Sequence, residues 1–179
     1  LRWPAYFILA YLMLGLQLGL GGFLSVGGVE PNLVLLVIVF IAMNAPRDEA
    51  LIGAMMLGAM HDLVTLEPMG LYAFAYGLVA LVLVAVAQLV ERGHLLAHLA
   101  EAGVAGGIWA AVLIIHERVH PAGAALIGPA STLAAVRTPA RAVLASALYT
   151  VILAPFVLWL LQRMQTLFQF DKRRRKRGG

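Results

Sequence analysis

The chain has 179 residues and a formal net charge of +4; 62% of it is apolar and only 12% is Asp, Glu, Lys or Arg, about half the ~25% charge of a soluble domain. With a mean hydropathy of +0.91, this composition excludes a soluble globular protein, and it excludes disorder because so apolar a chain cannot stay solvated as a coil. Cysteine is absent, which removes disulfides, thiolate metal sites and thiol nucleophiles together.

A membrane crossing takes ~20 apolar residues, so five or six crossings would use most of the length. The first apolar run extends from Ala5 to Leu20, between Arg2-Trp3 and the glycines Gly21, Gly22, Gly27 and Gly28. It has the outline of a secretory signal, but everything after it is equally apolar, and it reads as the first span. Leu33 to Met43 and Ala50 to Met60 are short apolar runs joined by Asn44-Ala45-Pro46-Arg47-Asp48-Glu49, a tight turn into a helix start with acids in its first turn. They form a helical hairpin that either crosses by tilting and borrowing its flanks or re-enters from one face. Leu71 to Val90 is a full span ended by Glu91-Arg92-Gly93, Leu95 to Ile115 is the next, and Arg141 to Leu161 is the last, with Thr138-Pro139 as its cap and Pro155 as a kink. Between the last two spans, Glu117 to Pro139 is rich in Ala, Gly and Pro and reads as a membrane-surface loop. Residues 1–165 thus make one polytopic membrane domain and 166–179 a basic tail.

Positive charge sets the orientation. With the N-terminus in the cytoplasm, ten of the 13 Lys and Arg fall inside, including the six of Lys172 to Arg177; both termini are expected there and Glu117 to Pro139 outside. The basic tail reads as a topology lock and a contact with anionic lipids rather than with nucleic acid. Close helix contacts are expected at small residues: Gly15 with Gly19, Ala102-Gly106-Ala110 beside Gly103-Gly107-Ala111, and the stripe Ala50, Ala54, Gly58, Asp62. No internal repeat of 20 to 50 residues is visible, which argues against a transporter built from inverted halves.

His116-Glu117-Arg118-Val119-His120 matches the H-E-x-x-H zinc-protease pattern. Arg118 would put a cation in the metal-binding turn, Pro121 disfavours helix at His120, and a third ligand from Asp62, Glu67 or Glu101 has no evident route; the expectation is a polar span end without metal. His94, His98 and Glu101 share a face at i, i+4 and i+7 and read as interfacial polar residues, with Glu101 the deepest. Ser25, Ser131 and Ser146 lack a nucleophile elbow or adjacent base.

Asp62 stands apart, a carboxylate between apolar arms at the end of a small-residue stripe. An unpaired charge in hydrocarbon costs ~2.5 kcal/mol or more, so it needs a defined partner. The candidates are a donor on another helix or the free amides at the start of the span near Gly70, where Pro68 sets the entry angle and Gly70 lets the backbone turn closely.

Pro31-Asn32-Leu33 opening a short apolar run, a polar turn, a helix running through Gly53 and Gly58 to Asp62, and then Pro68-Met69-Gly70-Leu71 before a long span together resemble the rod-shape-determining membrane protein family MreD. The motif covers Pro31 to Leu71, while length and span number agree along nearly the whole chain; Asn32 stands where the family often has Asp. The resemblance implies an all-α integral membrane protein of about six transmembrane helices, similar in fold to the substrate-binding subunits of energy-coupling-factor transporters. It implies a non-enzymatic scaffold of the bacterial elongation machinery in the cytoplasmic membrane, without cofactor, working with the bitopic MreC, with MreB, and with the RodA glycosyltransferase and its transpeptidase. Pro31, Asn32, Gly58, Asp62, Pro68 and Gly70 are the expected partner or structural site, and a homodimer is an arrangement the sequence permits. The competing readings are a small-molecule-binding transporter subunit and a zinc protease using His116, Glu117 and His120.

Overall fold

In hydrocarbon every backbone N–H and C=O needs a partner within the protein, so apolar runs of this length fold as helices. The computed structural model describes residues 3–65, 68–86, 95–119 and 140–168, and these form six: α1 (Trp3–Leu24), α2 (Leu33–Asn44), α3 (Arg47–Val64), α4 (Leu71–Val86), α5 (Leu95–Val119) and α6 (Ala140–Phe168). Stretches within α1, α5 and α6 are long and apolar enough to cross a membrane, whereas α2 and α4 are shorter apolar helices. At 1.5 Å per residue α2 is about 18 Å long and α3 about 27 Å. The loop with His120, the segment with Glu91 to His94, Glu67, the Thr138-Pro139 cap and the basic tail lie outside the described residues.

Several helices outrun their apolar cores. α3 starts at Arg47, with Ala50 N–H on the Pro46 carbonyl at 2.9 Å and Asp48 and Glu49 in its first turn, and continues past Asp62 to Val64. α6 passes through Pro155 to Phe168. α1 and α2 are joined across Gly27-Gly28, whose φ of 62° and 79° suits only glycine well; Val26 and Val29 exchange backbone hydrogen bonds of 3.0 and 3.1 Å around it.

The middle of the bundle is α2. Residues 33 to 42 are apolar on every side and buried on every side, and the helix touches all five others, which is the environment such a helix requires. α3 and α4 approach closely at Gly58, where a Cβ would lie 2.5 Å from the Ala73 Cα and 2.6 Å from the Tyr72 carbonyl oxygen. Ala50, Ala54 and Gly58 are all buried, so that stripe is a packing surface.

Two other expected small-residue contacts are corrected. Gly15 and Gly19 are exposed with nothing near their missing side chains, because α1 packs through Tyr6, Leu9, Ala10, Met13 and Leu14 on a different face, where the Tyr6 hydroxyl donates to the Gly53 carbonyl. On α5 only one face is used: Ala102, Gly106 and Ala110 are buried, with Gly106 over Ala147 of α6, whereas Gly107 and Ala111 are exposed.

Overpacking costs about 1–3 kcal/mol where the neighbour is rigid. Gly58→Ala should lower unfolding stability in detergent by about that amount, while Gly107→Ala, which meets no neighbouring atom, should be neutral or raise it by about 0.5–1 kcal/mol through helix propensity. Equal effects of the two substitutions would contradict the α3–α4 contact.

Candidate functional site

The first turn of a helix carries amide donors with no intrahelical acceptor, and at α4 each of these finds one. The Asp62 carboxylate on α3 accepts from Gly70 N–H at 3.0 Å and Ala73 N–H at 3.1 Å through Oδ2, and from Tyr72 N–H at 2.9 Å through Oδ1. Leu71 N–H goes to the Pro68 carbonyl at 3.2 Å and closes a turn in which Gly70 has φ +95°, the left-handed position that glycine fills in a type II turn. Gly58 lies one turn before Asp62 and brings the backbones together, so the short Asp side chain reaches the amides. Asp62 is 4% exposed; three charge-assisted bonds and the positive end of the helix dipole compensate its charge.

The start of α2 is satisfied in a parallel way by three other helices. Asn32 caps it, its Oδ1 accepting from Leu35 N–H at 2.9 Å, and its own N–H donates to Thr150 Oγ1 of α6 at 2.8 Å. Gln17 of α1 accepts from Leu33 N–H at 2.7 Å and donates to the Pro31 carbonyl at 3.0 Å. Asn32 Nδ2 donates to the Tyr76 hydroxyl of α4 at 2.9 Å, and that hydroxyl lies 2.8 Å from His61 Nδ1 of α3. Thr150 Oγ1 donates in turn to the Ser146 carbonyl, and the Ser146 hydroxyl donates to the Glu30 carbonyl. Asn32, His61, Asp62, Tyr76 and Thr150 are all buried. They form a single polar layer joining α1, α2, α3, α4 and α6.

Of the residues singled out in the sequence, Pro31, Asn32, Gly58, Asp62, Pro68 and Gly70 therefore all lie in or beside this layer. Sequence reasoning missed Tyr76, Thr150, Gln17 and His61, and it treated Ser146 only as a failed nucleophile. The signal for Gln17 and His61 was a strongly polar side chain within an apolar run. Of the other candidates, only His98 and Glu101 are brought together among the described residues. His116 and Glu117 sit in the last turns of α5, about 22 Å along the helix from Glu101, and His120 is outside the described residues. His98 Nδ1 lies 3.6 Å from Glu101 Oε2, and Gln162 of α6 contacts His98 Nε2 at 3.2 Å; His94 is outside the described residues. Among the described residues no three His, Asp or Glu cluster as a metal site would require, and Asp62, one suggested third ligand, is committed to amides.

Residues 1–164 match the family model for the rod shape-determining protein MreD. The chain belongs to the MreD family. It is thus a membrane protein of rod-shape determination, and the polar layer and its Asp62 latch fall within the matched region. No curated protein and no solved structure matches it.

Truncating one partner of a buried hydrogen bond costs about 1–3 kcal/mol for each group left unsatisfied. Asp62→Asn keeps one acceptor and should destabilise this MreD protein by about 1–2 kcal/mol, and Asp62→Leu, which strands three amides, by about 3 kcal/mol or more. Unfolding in detergent reads the order; a Leu variant as stable as wild type would remove the latch from the account.

Proposed function

We propose that this protein is a non-enzymatic, multi-pass scaffold of the elongation complex in the bacterial cytoplasmic membrane, assembling with MreC, with MreB and with the RodA glycosyltransferase and its transpeptidase. The observation that carries the reading is the use made of the buried polar groups within the matched region. Asp62, Asn32, Tyr76, Gln17 and Thr150 satisfy helix ends and one another, which fixes helix positions and so presents a defined surface to partners. A cavity at the other end, lined by Arg47 and by Leu81, Val82, Val84, Ala85 and Val86, carries no comparable polar cluster among the described residues. The reading includes a six-span arrangement like that of energy-coupling-factor substrate-binding subunits, self-association as a homodimer, and anionic lipids at the C-terminal tail.

The same cavity supports a fully crossing hairpin. Arg47, at the α2–α3 turn, shares it with Leu81 and Val86 of α4, so the turn lies level with that stretch of α4. With both termini cytoplasmic, Val26 is then outside and Asp48 inside.

Affinity purification from native membranes should recover MreC with the wild type, and depletion of the protein should round the cells; recovery of neither MreC nor wall-synthesis enzymes, with normal shape on depletion, would refute the scaffold. Because the chain has no cysteine, topology is read by impermeant thiol labelling. Val26→Cys should react from outside and Asp48→Cys only from the cytoplasm, and the opposite pattern would invert the topology.

A further inference from the structure

The cavity beside the α2–α3 turn joins a cation to an apolar wall. It encloses about 390 Å³ and, among the described residues, is lined by Arg47 on one side and by Leu81, Val82, Val84, Ala85 and Val86 of α4 on the other. Arg47, Leu81 and Ala85 are exposed, and Val82, Val84 and Val86 are half-buried, so the cavity opens outward. The guanidinium of Arg47 is the one charge that these lining residues carry.

The flanking sequence fixes the depth of this turn. α2 is apolar from Leu33 to Met43, and Arg47, Asp48 and Glu49 follow directly after Pro46. Three consecutive charged residues are too costly inside the hydrocarbon, so the turn lies where the headgroups begin. From Val86 back to Leu81 the α4 wall runs about 7.5 Å along the helix, enough to hold the upper part of an acyl chain. One turn of a helix with its side chains fills roughly 420 Å³, more than the whole cavity, so a partner helix does not fit inside it.

We propose that this cavity binds a glycerophospholipid, with the phosphate on the Arg47 guanidinium and one acyl chain along Leu81, Val82 and Ala85. Charge selects the headgroup: a guanidinium pairs with phosphate through two parallel hydrogen bonds, and neither Asp48 nor Glu49 is among the lining residues. The apolar wall selects a lipid over a free phosphate, which would leave that wall unused. Basic pockets between membrane helices hold lipid headgroups in this way. The site is built from α3 and α4 and is separate from the lipid contact of the C-terminal tail.

The test uses the full chain in phosphatidylcholine nanodiscs carrying a trace of photoreactive phosphatidylglycerol or of diacylglycerol with the same acyl chains, each with a diazirine near the ester, and maps the labelled residues by mass spectrometry. Residues 81–86 should be labelled about fivefold more by the phosphatidylglycerol probe, the preference that one surface cation supplies, while the exposed Leu144, Leu148 and Ile152 of α6 should be labelled equally by both. Arg47→Gln should remove the preference and Arg47→Lys should keep most of it. Ala85→Trp, at an exposed position, fills the cavity with Arg47 intact and should reduce labelling of residues 81–86 by both probes, which keeps the test open if Arg47→Gln does not fold. Equal labelling by the two probes in the wild type, or a preference that survives Arg47→Gln, would mean that bulk lipid touches this face without a site. No labelling by either probe would mean that protein covers the cavity, and a preference confined to residues 169–179 would leave the tail as the contact; each of these overturns the proposal.

Discussion

The structure depends on the amides at the start of a helix. In water these are satisfied at no cost, but in a bilayer they need acceptors supplied by the protein, and two apolar helices, α2 and α4, both begin in the same layer. Asp62 supplies the acceptors for α4, and Gln17, Asn32 and Thr150 supply partners around the start of α2. Because each of these groups comes from elsewhere in the chain, satisfying a local need fixes a tertiary arrangement. A helix about 18 Å long, apolar on every face, is held in register at the centre of the bundle by its first turn.

The other features of that layer follow from reach. An aspartate side chain is short, so the backbones of α3 and α4 must nearly touch, and Gly58 permits this one turn before Asp62. The chain must then reverse and present Gly70, Tyr72 and Ala73 to one carboxylate, which the positive φ of Gly70 and the Pro68 to Leu71 turn achieve. Tyr76, one turn deeper, links the two capped starts by bonding both Asn32 and His61. Loss of any member leaves buried polar groups unpaired, so the layer holds together as a unit.

Much of this layer is legible in the amino-acid sequence. Asp62 is conspicuous because an ionisable group in apolar surroundings demands a partner, and the free amides near Gly70 are a nameable candidate because Pro68-Met69-Gly70 marks a reversal into a helix. Tyr76 and Thr150 are not legible, since tyrosine and threonine are ordinary within membrane helices and their partner Asn32 is 44 and 118 residues away in sequence. Glycine spacing misleads at Gly15 and Gly19 for a related reason: small residues show where helices can approach, and the bulky Tyr6 and Met13 face decides where α1 does. Hydropathy shortens α3 because Arg47, Asp48, Glu49 and Asp62 are helical without being apolar. Of the loop read as outward-facing, Glu117 to Val119 are the last residues of α5 and not loop, while the rest of it and the tail read as lipid-contacting lie outside the described residues.

Amide hydrogen exchange tests the Asp62 latch most directly. The first-turn amides of a helix normally exchange fast because nothing within the helix holds them. In this protein the amides of Tyr72 and Ala73 should be protected about as well as those in the middle of α4, and Asp62→Leu should abolish that protection while leaving the α5–α6 contact at Gly106 and Ala147 unchanged. Fast exchange at Tyr72 and Ala73 in the wild type, or protection that survives Asp62→Leu, would contradict the account.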